Sequence, residues 1–74
     1  MNTIKINIVS SSEEIYSGEA TMVFATGTLG ELGIAPGHTP LLTGLAAGPV
    51  RVQNGSKEDT FFCSGGFLEV QPDL

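Results

Sequence analysis

Short runs of alternating polar and apolar residues, separated by turn signals, are the feature that most limits how this chain can fold. Ile4, Ile6 and Ile8 alternate with Lys5 and Asn7, which is the period of a strand with one buried and one wet face. No stretch carries an apolar stripe of helical period. The pattern therefore predicts an all-β fold, either an antiparallel β-sandwich or a flattened barrel.

Strands are predicted wherever such a run is bounded by glycine, proline or asparagine. They cover Thr3 to Val9, Ile15 to Gly18, Glu19 to Thr26, Leu32 to Ile34, Thr39 to Ala46, Val50 to Gln53, Lys57 to Ser64 and Phe67 to Val70. Turns are expected at Ser10 to Glu14, Pro36-Gly37, Ala47 to Pro49, Asn54-Gly55 and Gly65-Gly66. At Asn54-Gly55 both positions accept positive φ, so the turn is expected to be centred there.

The composition favours one small acidic domain. A chain of 74 residues buries only about 60% of its unfolded surface. The net charge of −5 argues against binding to a nucleic-acid backbone. It serves solubility, or it meets a basic partner. No run resembles a signal peptide or a membrane helix. The single cysteine, Cys63, lies beside Phe61 and Phe62 and is expected to be a buried thiol in a reducing compartment.

The sequence offers little that could perform chemistry. Gly27, Gly30 and Gly33 do not have the dinucleotide spacing, and no helix follows them. Cys63 and His38 are the only candidates for a nucleophilic pair, and nothing in the sequence brings them together. No spacing of ligands predicts a metal site. We therefore expect an interaction module with no catalytic residue, no metal and no cofactor.

The segment from Gly30 to Leu42 is the most distinctive part of the chain. Proline presets φ at the second position of a turn, and glycine accepts positive φ at the third, so Pro36-Gly37 predicts a type II turn. The segment reads as a hairpin-like connection with exposed tips at Glu31 and His38.

Two stretches of this sequence resemble the signatures of a known family. Gly30 to Ile34, followed by Pro36 to Leu42, is similar to the N-terminal domain of the epsilon subunit of the rotary ATP synthase, the subunit called delta in mitochondria. Ser64 to Pro72 is similar to the second signature of that family. Ile8 to Ser10 and Tyr16 to Ala20 are also placed as in the family, so the resemblance covers the chain in collinear order.

The resemblance implies a flattened antiparallel β-sandwich in the central stalk of a proton-translocating ATP synthase. Such a domain docks on the gamma subunit and the c-ring, rotates with them and helps couple proton flow to ATP synthesis, without catalysis. It implies a peripheral position on the cytoplasmic face of the bacterial inner membrane, with neither membrane insertion nor nucleic acid. The implied interface residues are, on the c-ring side, Glu31, Leu32 and Gly33, and on the gamma side, Pro36, Gly37, His38 and Thr39.

The chain departs from the family pattern at its end. Family members continue with a final strand and a C-terminal helical hairpin, so residues 1–74 are expected to form a single, C-terminally truncated β-sandwich domain. Glu69 is the only charge in Phe67 to Val70, so an open sheet edge there would favour self-association.

The alternative from another class is a lipoyl- or biotinyl-type carrier domain, which is also small, acidic and all-β. Such a domain carries a modifiable lysine at a hairpin tip. Lys57 lies close to the predicted Asn54-Gly55 turn, but Ser56 and Glu58 do not match the usual setting of that lysine.

Overall fold

The fold was analysed in a computed structural model, which describes residues 2–10, 13–37 and 39–71. It contains eight strands: β1 (Ile4–Val9), β2 (Glu14–Ala20), β3 (Met22–Gly27), β4 (Gly30–Ile34), β5 (Leu41–Leu45), β6 (Gly48–Asn54), β7 (Lys57–Cys63) and β8 (Gly66–Gln71). None of the residues in these described ranges is helical. The all-β prediction is therefore confirmed.

The strands form one continuous antiparallel sheet that folds over on itself. Their order is β2-β1-β8-β5-β3-β6-β7, and β4 pairs with β3. The first and last strands of this order, β2 and β7, approach each other. The centroids of the Tyr16 ring in β2 and the Phe61 ring in β7 are 5.6 Å apart. The result is the flattened antiparallel sandwich that the family resemblance implies, and a sandwich is one of the two folds that the residue pattern predicts.

Alternation along the strands builds the core between the two layers. In β1 the isoleucines point inward and the residues between them point outward, as their spacing predicts. Each of the eight strands contributes at least one buried side chain to the core, and β2 contributes only Ala20. The sulfur of the core comes from Cys63. The core consists of Ile4, Ile6, Ile8, Ala20, Val23, Ala25, Ile34, Leu45, Val50, Val52, Cys63, Leu68 and Val70.

The predicted strand from Glu19 to Thr26 is interrupted at Thr21. The Thr21 amide donates to the carbonyl of Gln53 at 2.7 Å, so the chain turns there from β2 into β3 and crosses between layers. In β3, Val23 and Ala25 face the core, and Phe24 faces outward. The Arg51 guanidinium covers the Phe24 ring at 4.5 Å, so the outward face of β3 is partly covered as well.

Two turn predictions are wrong in their placement. Gly48 and Pro49 begin β6 instead of forming a turn, and a proline is tolerated at the start of a strand. In the β6–β7 hairpin Asn54 pairs with Lys57, so the two turn residues are Gly55 and Ser56. Gly55 alone has positive φ, 64°, as expected for a turn with glycine at its first central position.

The last strand, β8, lies inside the sheet. It pairs with β1 on one side and with β5 on the other, so the expected open edge at Phe67 to Val70 is not found. β8 begins at Gly66, whose φ is 141°. A Cβ atom at this position would overlap the carbonyl oxygen of Val9 in β1. Pro72, the last residue of the stretch that is similar to the second family signature, lies outside the described residues.

Candidate docking surface

The β3–β4 hairpin ends in a two-residue turn with an apolar tip. Gly27 and Gly30 pair across its base, which leaves Thr28 and Leu29 as the turn. The Leu29 side chain is 101% exposed. The base is fixed to β5, because the Thr28 amide donates to the carbonyl of Gly44 at 3.1 Å. The hairpin therefore presents one fully exposed leucine on a turn whose base is held by the sheet.

The three residues predicted for the c-ring side follow this tip along β4. Glu31 pairs with Thr26 and is exposed, and Gly33 pairs with Phe24 and is also exposed. Leu32 is half-buried, because it points with Ala25 toward the core. The expectation that Glu31 is itself the tip is wrong: the tip is Thr28-Leu29, and Glu31 is the second residue of the strand.

The residues predicted for the gamma side lie beyond the opposite end of β4. Gly37 has φ 90°, which confirms the positive φ predicted for the turn at Pro36-Gly37. Gly37 and Thr39 are exposed and Pro36 is half-buried, while His38 lies outside the described residues. At about 3.3 Å per residue, β4 separates Glu31 from Ile34, two residues before Pro36, by about 10 Å.

The connection through this turn is not a hairpin. β4 pairs with β3, and β5 pairs mainly with β8, so the chain passes from one part of the sheet to another between Ile34 and Leu41. The hairpin-like interpretation of the central segment is therefore wrong. The hairpin in this region is instead the one that joins β3 to β4.

A shallow cleft lies on the outer face of β4, β3 and β6. Its volume is about 300 Å³, and its lining includes Phe24, Glu31, Gly33 and Arg51. Arg51 also forms an exposed ion pair with Glu58, with 3.5 Å between Nη1 and Oε1. An exposed pair of this kind contributes little to stability. The cleft brings one acid and one base from the predicted docking strand and its neighbour together.

A second apolar surface lies on the outer face of β5 and β8. Leu42 is 69% exposed and Phe67 is 54% exposed. They are diagonal neighbours across the two strands, because Leu42 pairs with Glu69 and Gly44 pairs with Phe67. Sequence reasoning missed both residues and Leu29. For Leu29 a signal existed, since it lies between the glycines Gly27 and Gly30 that close a turn.

Comparisons with known proteins agree with this geometry. The family model described as "ATP synthase, Delta/Epsilon chain, beta-sandwich domain" matches residues 3–74. Two relatives named "ATP synthase epsilon chain" come from Psychrobacter cryohalolentis, at 52% identity, and Psychrobacter arcticus, at 53% identity. This chain belongs to the ATP synthase delta/epsilon family. The match covers 100% of the chain and 54% of each relative, so the chain spans about half the length of the curated relatives it matches.

Family membership replaces the carrier-domain alternative. Lys57 is exposed and is the first residue of β7, directly after the Gly55-Ser56 turn. Its position is thus close to the one a carrier lysine would need, but the family that matches the chain is a different one. The lysine is paired with Asn54 in the sheet and is not at the centre of the turn.

The lone thiol is placed as the sequence predicts. Cys63 is free and 4% exposed. Burial raises the pKa of its thiol, which is the opposite of the shift that an activated nucleophile needs. Among the described residues no three histidine, cysteine or acidic side chains lie together as metal ligands. In the described ranges there is also no helix long and apolar enough to cross a membrane.

Proposed function

We propose that this chain is the β-sandwich domain of a non-catalytic subunit in the central stalk of a proton-translocating ATP synthase. In this role it docks on the gamma subunit and on the c-ring and helps to couple proton flow to ATP synthesis. The proposal is supported by the family match over residues 3–74 and by the names of the two relatives. It places the chain in a peripheral position on the cytoplasmic face of the bacterial inner membrane.

One structural observation carries the docking proposal: β4 has an exposed segment at each end. At one end are Leu29 at the hairpin tip and Glu31, both exposed. At the other end is the turn at Pro36-Gly37, with exposed Gly37. Two partners can therefore contact one short strand without competing for the same residues. We assign the first end, with Leu32 and Gly33, to the c-ring, and the second, with His38 and Thr39, to gamma.

The anchoring of the hairpin-tip end suits a subunit that transmits rotation. The hairpin tip is fixed to β5 through Thr28 and Gly44, and the Ala46 amide donates to the carbonyl of Thr26 at 2.9 Å. β4 itself is bonded to β3 along its whole length. A torque applied at the hairpin tip therefore passes along β4 as far as Ile34 through the hydrogen bonds of the sheet.

Binding measurements with separate partners test this assignment. The chain is titrated against purified gamma subunit alone and against a gamma–c-ring complex that lacks its own epsilon subunit. Glu31→Lys is expected to bind gamma alone as the wild type does, but to bind the gamma–c-ring complex about tenfold more weakly. Asp59→Lys is the matched control, because Asp59 is an exposed acid on β7, away from β4.

The outcomes separate the parts of the proposal. Equal loss of binding to both partners would place Glu31 on the gamma side or in the fold, and thermal unfolding distinguishes these two cases. No measurable binding of the wild-type chain to either partner would contradict the proposed function itself. If Asp59→Lys weakened binding to the gamma–c-ring complex as much as Glu31→Lys does, the effect would come from the change in net charge and not from the position of Glu31.

A further inference from the structure

The Asn54-Gly55 pair is a motif that the proposed docking role leaves unexplained. Asparagine is among the least chemically durable residues in proteins. A following glycine makes it more reactive, because glycine has no side chain to hinder approach of its own backbone nitrogen to the asparagine amide. In this structure the pair lies at an exposed hairpin, with Gly55 exposed and Asn54 half-buried.

The backbone nitrogen of Gly55, the attacking atom in that reaction, is held by Thr21. The Gly55 amide donates to Thr21 Oγ1 at 3.0 Å. The same hydroxyl donates to the carbonyl of Gln53 at 2.9 Å, so its lone pair is directed at Gly55. This interaction joins the β2–β3 corner to the β6–β7 turn across a sequence separation of 34 residues.

The side chain of Asn54, the group under attack, is held by Tyr16. Asn54 Nδ2 donates to the Tyr16 hydroxyl at 3.4 Å. That hydroxyl donates in turn to the carbonyl of Glu19 at 2.9 Å, and the Tyr16 ring packs on Phe61. The attacking nitrogen of Gly55 and the side-chain amide of Asn54 are therefore each hydrogen-bonded to a different hydroxyl group.

We propose that Asn54 is a site of spontaneous deamidation, and that the hydroxyls of Thr21 and Tyr16 hold the reaction back in the folded protein. In the reaction the Gly55 nitrogen loses its proton and forms a bond to Asn54 Cγ. The Cγ–Nδ2 bond breaks, the leaving nitrogen takes up that proton through water, and ammonia departs, which gives a cyclic imide. Water then opens the imide at either carbonyl, yielding aspartate or isoaspartate at position 54.

The products would alter the hairpin in two ways. Either product adds a negative charge next to a strand that already carries Glu58 and Asp59, in a chain of net charge −5. Isoaspartate also inserts one carbon into the main chain, which breaks the pairing of residue 54 with Lys57. The two hydroxyls therefore protect the end of the sandwich at which β2 and β6 meet.

The test measures the deamidation rate at Asn54 by peptide mapping and mass spectrometry, at mildly alkaline pH and constant temperature. Native wild-type chain is compared with the same chain unfolded in urea, and Asn54→Asp gives the product standard. The native rate is expected to be at least about tenfold lower than the unfolded rate. Asn7, which is followed by the β-branched Ile8, serves as an internal control that reacts slowly in both states.

Variants of Thr21 and Tyr16 distinguish protection of Asn54 by the two hydroxyl groups from a general effect of folding stability on the deamidation rate. Thr21→Val removes the acceptor for Gly55 with little change of shape and is expected to raise the native rate about fivefold, the effect of one lost hydrogen bond. Thr21→Ser keeps the hydroxyl and is expected to stay within about twofold of wild type. Tyr16→Phe keeps the ring contact with Phe61 and is expected to raise the rate by a smaller factor.

Each outcome decides the proposal. Equal rates in native and unfolded wild-type chain, or a wild-type rate in Thr21→Val, would overturn it. Circular dichroism shows whether Thr21→Val is folded. If it is not, Tyr16→Phe and the hydrogen exchange of the Gly55 amide in the wild type carry the test. An amide that exchanges as fast as in the unfolded chain would also overturn the proposal.

Discussion

At the scale of single residues, Gly37 shows how local sterics alone can fix a residue type. Its φ is 90°, and a Cβ atom built on it would meet nothing within 4 Å. Glycine is thus required by backbone conformation and not by space. A β-branched side chain is strained in this region of φ.

We predict that Gly37→Val lowers the free energy of unfolding by about 1–3 kcal/mol. Gly33→Val is the control, because Gly33 lies in an exposed strand where Cβ contacts would be ordinary, at 3.5 Å, and valine is well suited to strands. Urea unfolding of the two variants gives the comparison. A loss in Gly33→Val equal to that in Gly37→Val would show that the φ of Gly37 is not the cause.

Cys63 gives a prediction of pH dependence. Burial raises the pKa of its thiol above the ordinary value of 9.0. Below this pH the thiol is protonated in both states and its contribution to stability is complete. As the pH rises past 9.0, the unfolded chain loses the proton first, so stability falls until the pH exceeds the folded pKa.

Stability is therefore expected to decrease more steeply with alkaline pH in the wild type than in Cys63→Ala. The measurement is urea unfolding at a series of pH values. The two proteins differ only at position 63, so the difference between the two slopes reports on the thiol. Parallel slopes would contradict the prediction.

At the scale of elements, the sequence predicts strands well where one pattern dominates. The alternation of isoleucines in β1 and the glycine before β8 place those strands to within a residue or two. The corner at Thr21 could not be predicted, because its cause is a hydrogen bond to Gln53, far away in sequence. A continuous apolar run does not show where a chain crosses between layers.

Substitutions in the β6–β7 hairpin test whether its turn is Gly55-Ser56, one residue later than the sequence predicts. Because Asn54 is the last residue of β6 and does not have positive φ, Asn54→Thr is expected to change the free energy of unfolding by less than about 1 kcal/mol. Gly55→Thr is expected to lower it by about 1–3 kcal/mol, since Gly55 has φ 64°. Urea unfolding of both variants is the measurement. Equal and large losses would restore the turn centred on Asn54-Gly55.

At the scale of the whole molecule, the folded-over sheet makes the two layers depend on one core. Leu68 of β8 is 0% exposed and lies between β1 and β5. Leu68→Ala is expected to lower the free energy of unfolding by about 2–5 kcal/mol. Far-ultraviolet circular dichroism follows the strands, and the fluorescence of Tyr16, the only tyrosine in a chain without tryptophan, follows the contact between β2 and β7.

These two signals are expected to change together in urea, in the wild type and in Leu68→Ala, as in two-state unfolding. An exposed apolar residue provides the control: Leu42→Ala is expected to lower stability by less than about 1 kcal/mol, because Leu42 is 69% exposed. Separate transitions for the two signals would mean that the sheet opens between β2 and β7 before the core unfolds.

The candidate docking surface was only partly predictable, because the exposure of some of its residues depends on how the whole sheet is paired. The exposure of Glu31 and the positive φ of Gly37 follow from local sequence, and both are found. Leu42 and Phe67 look like core residues in the sequence. Their exposure depends on which strands pair, since the pairing of β5 with β8 turns both side chains to the outer face.

The contact of Gly66 with Val9 has a consequence for how β1 and β8 find their alignment. A side chain at position 66 would collide with the Val9 carbonyl oxygen, so Phe67 cannot occupy that place. A slip by one residue in the opposite direction brings Gly65 there, which fits, but it turns every side chain of β8 to the other face. Leu68 and Val70 would then point to water and Glu69 into the core. The first slip is thus excluded by the collision at Gly66 and the second by the exposure of Leu68 and Val70 and the burial of Glu69, so β8 pairs with β1 in a single register.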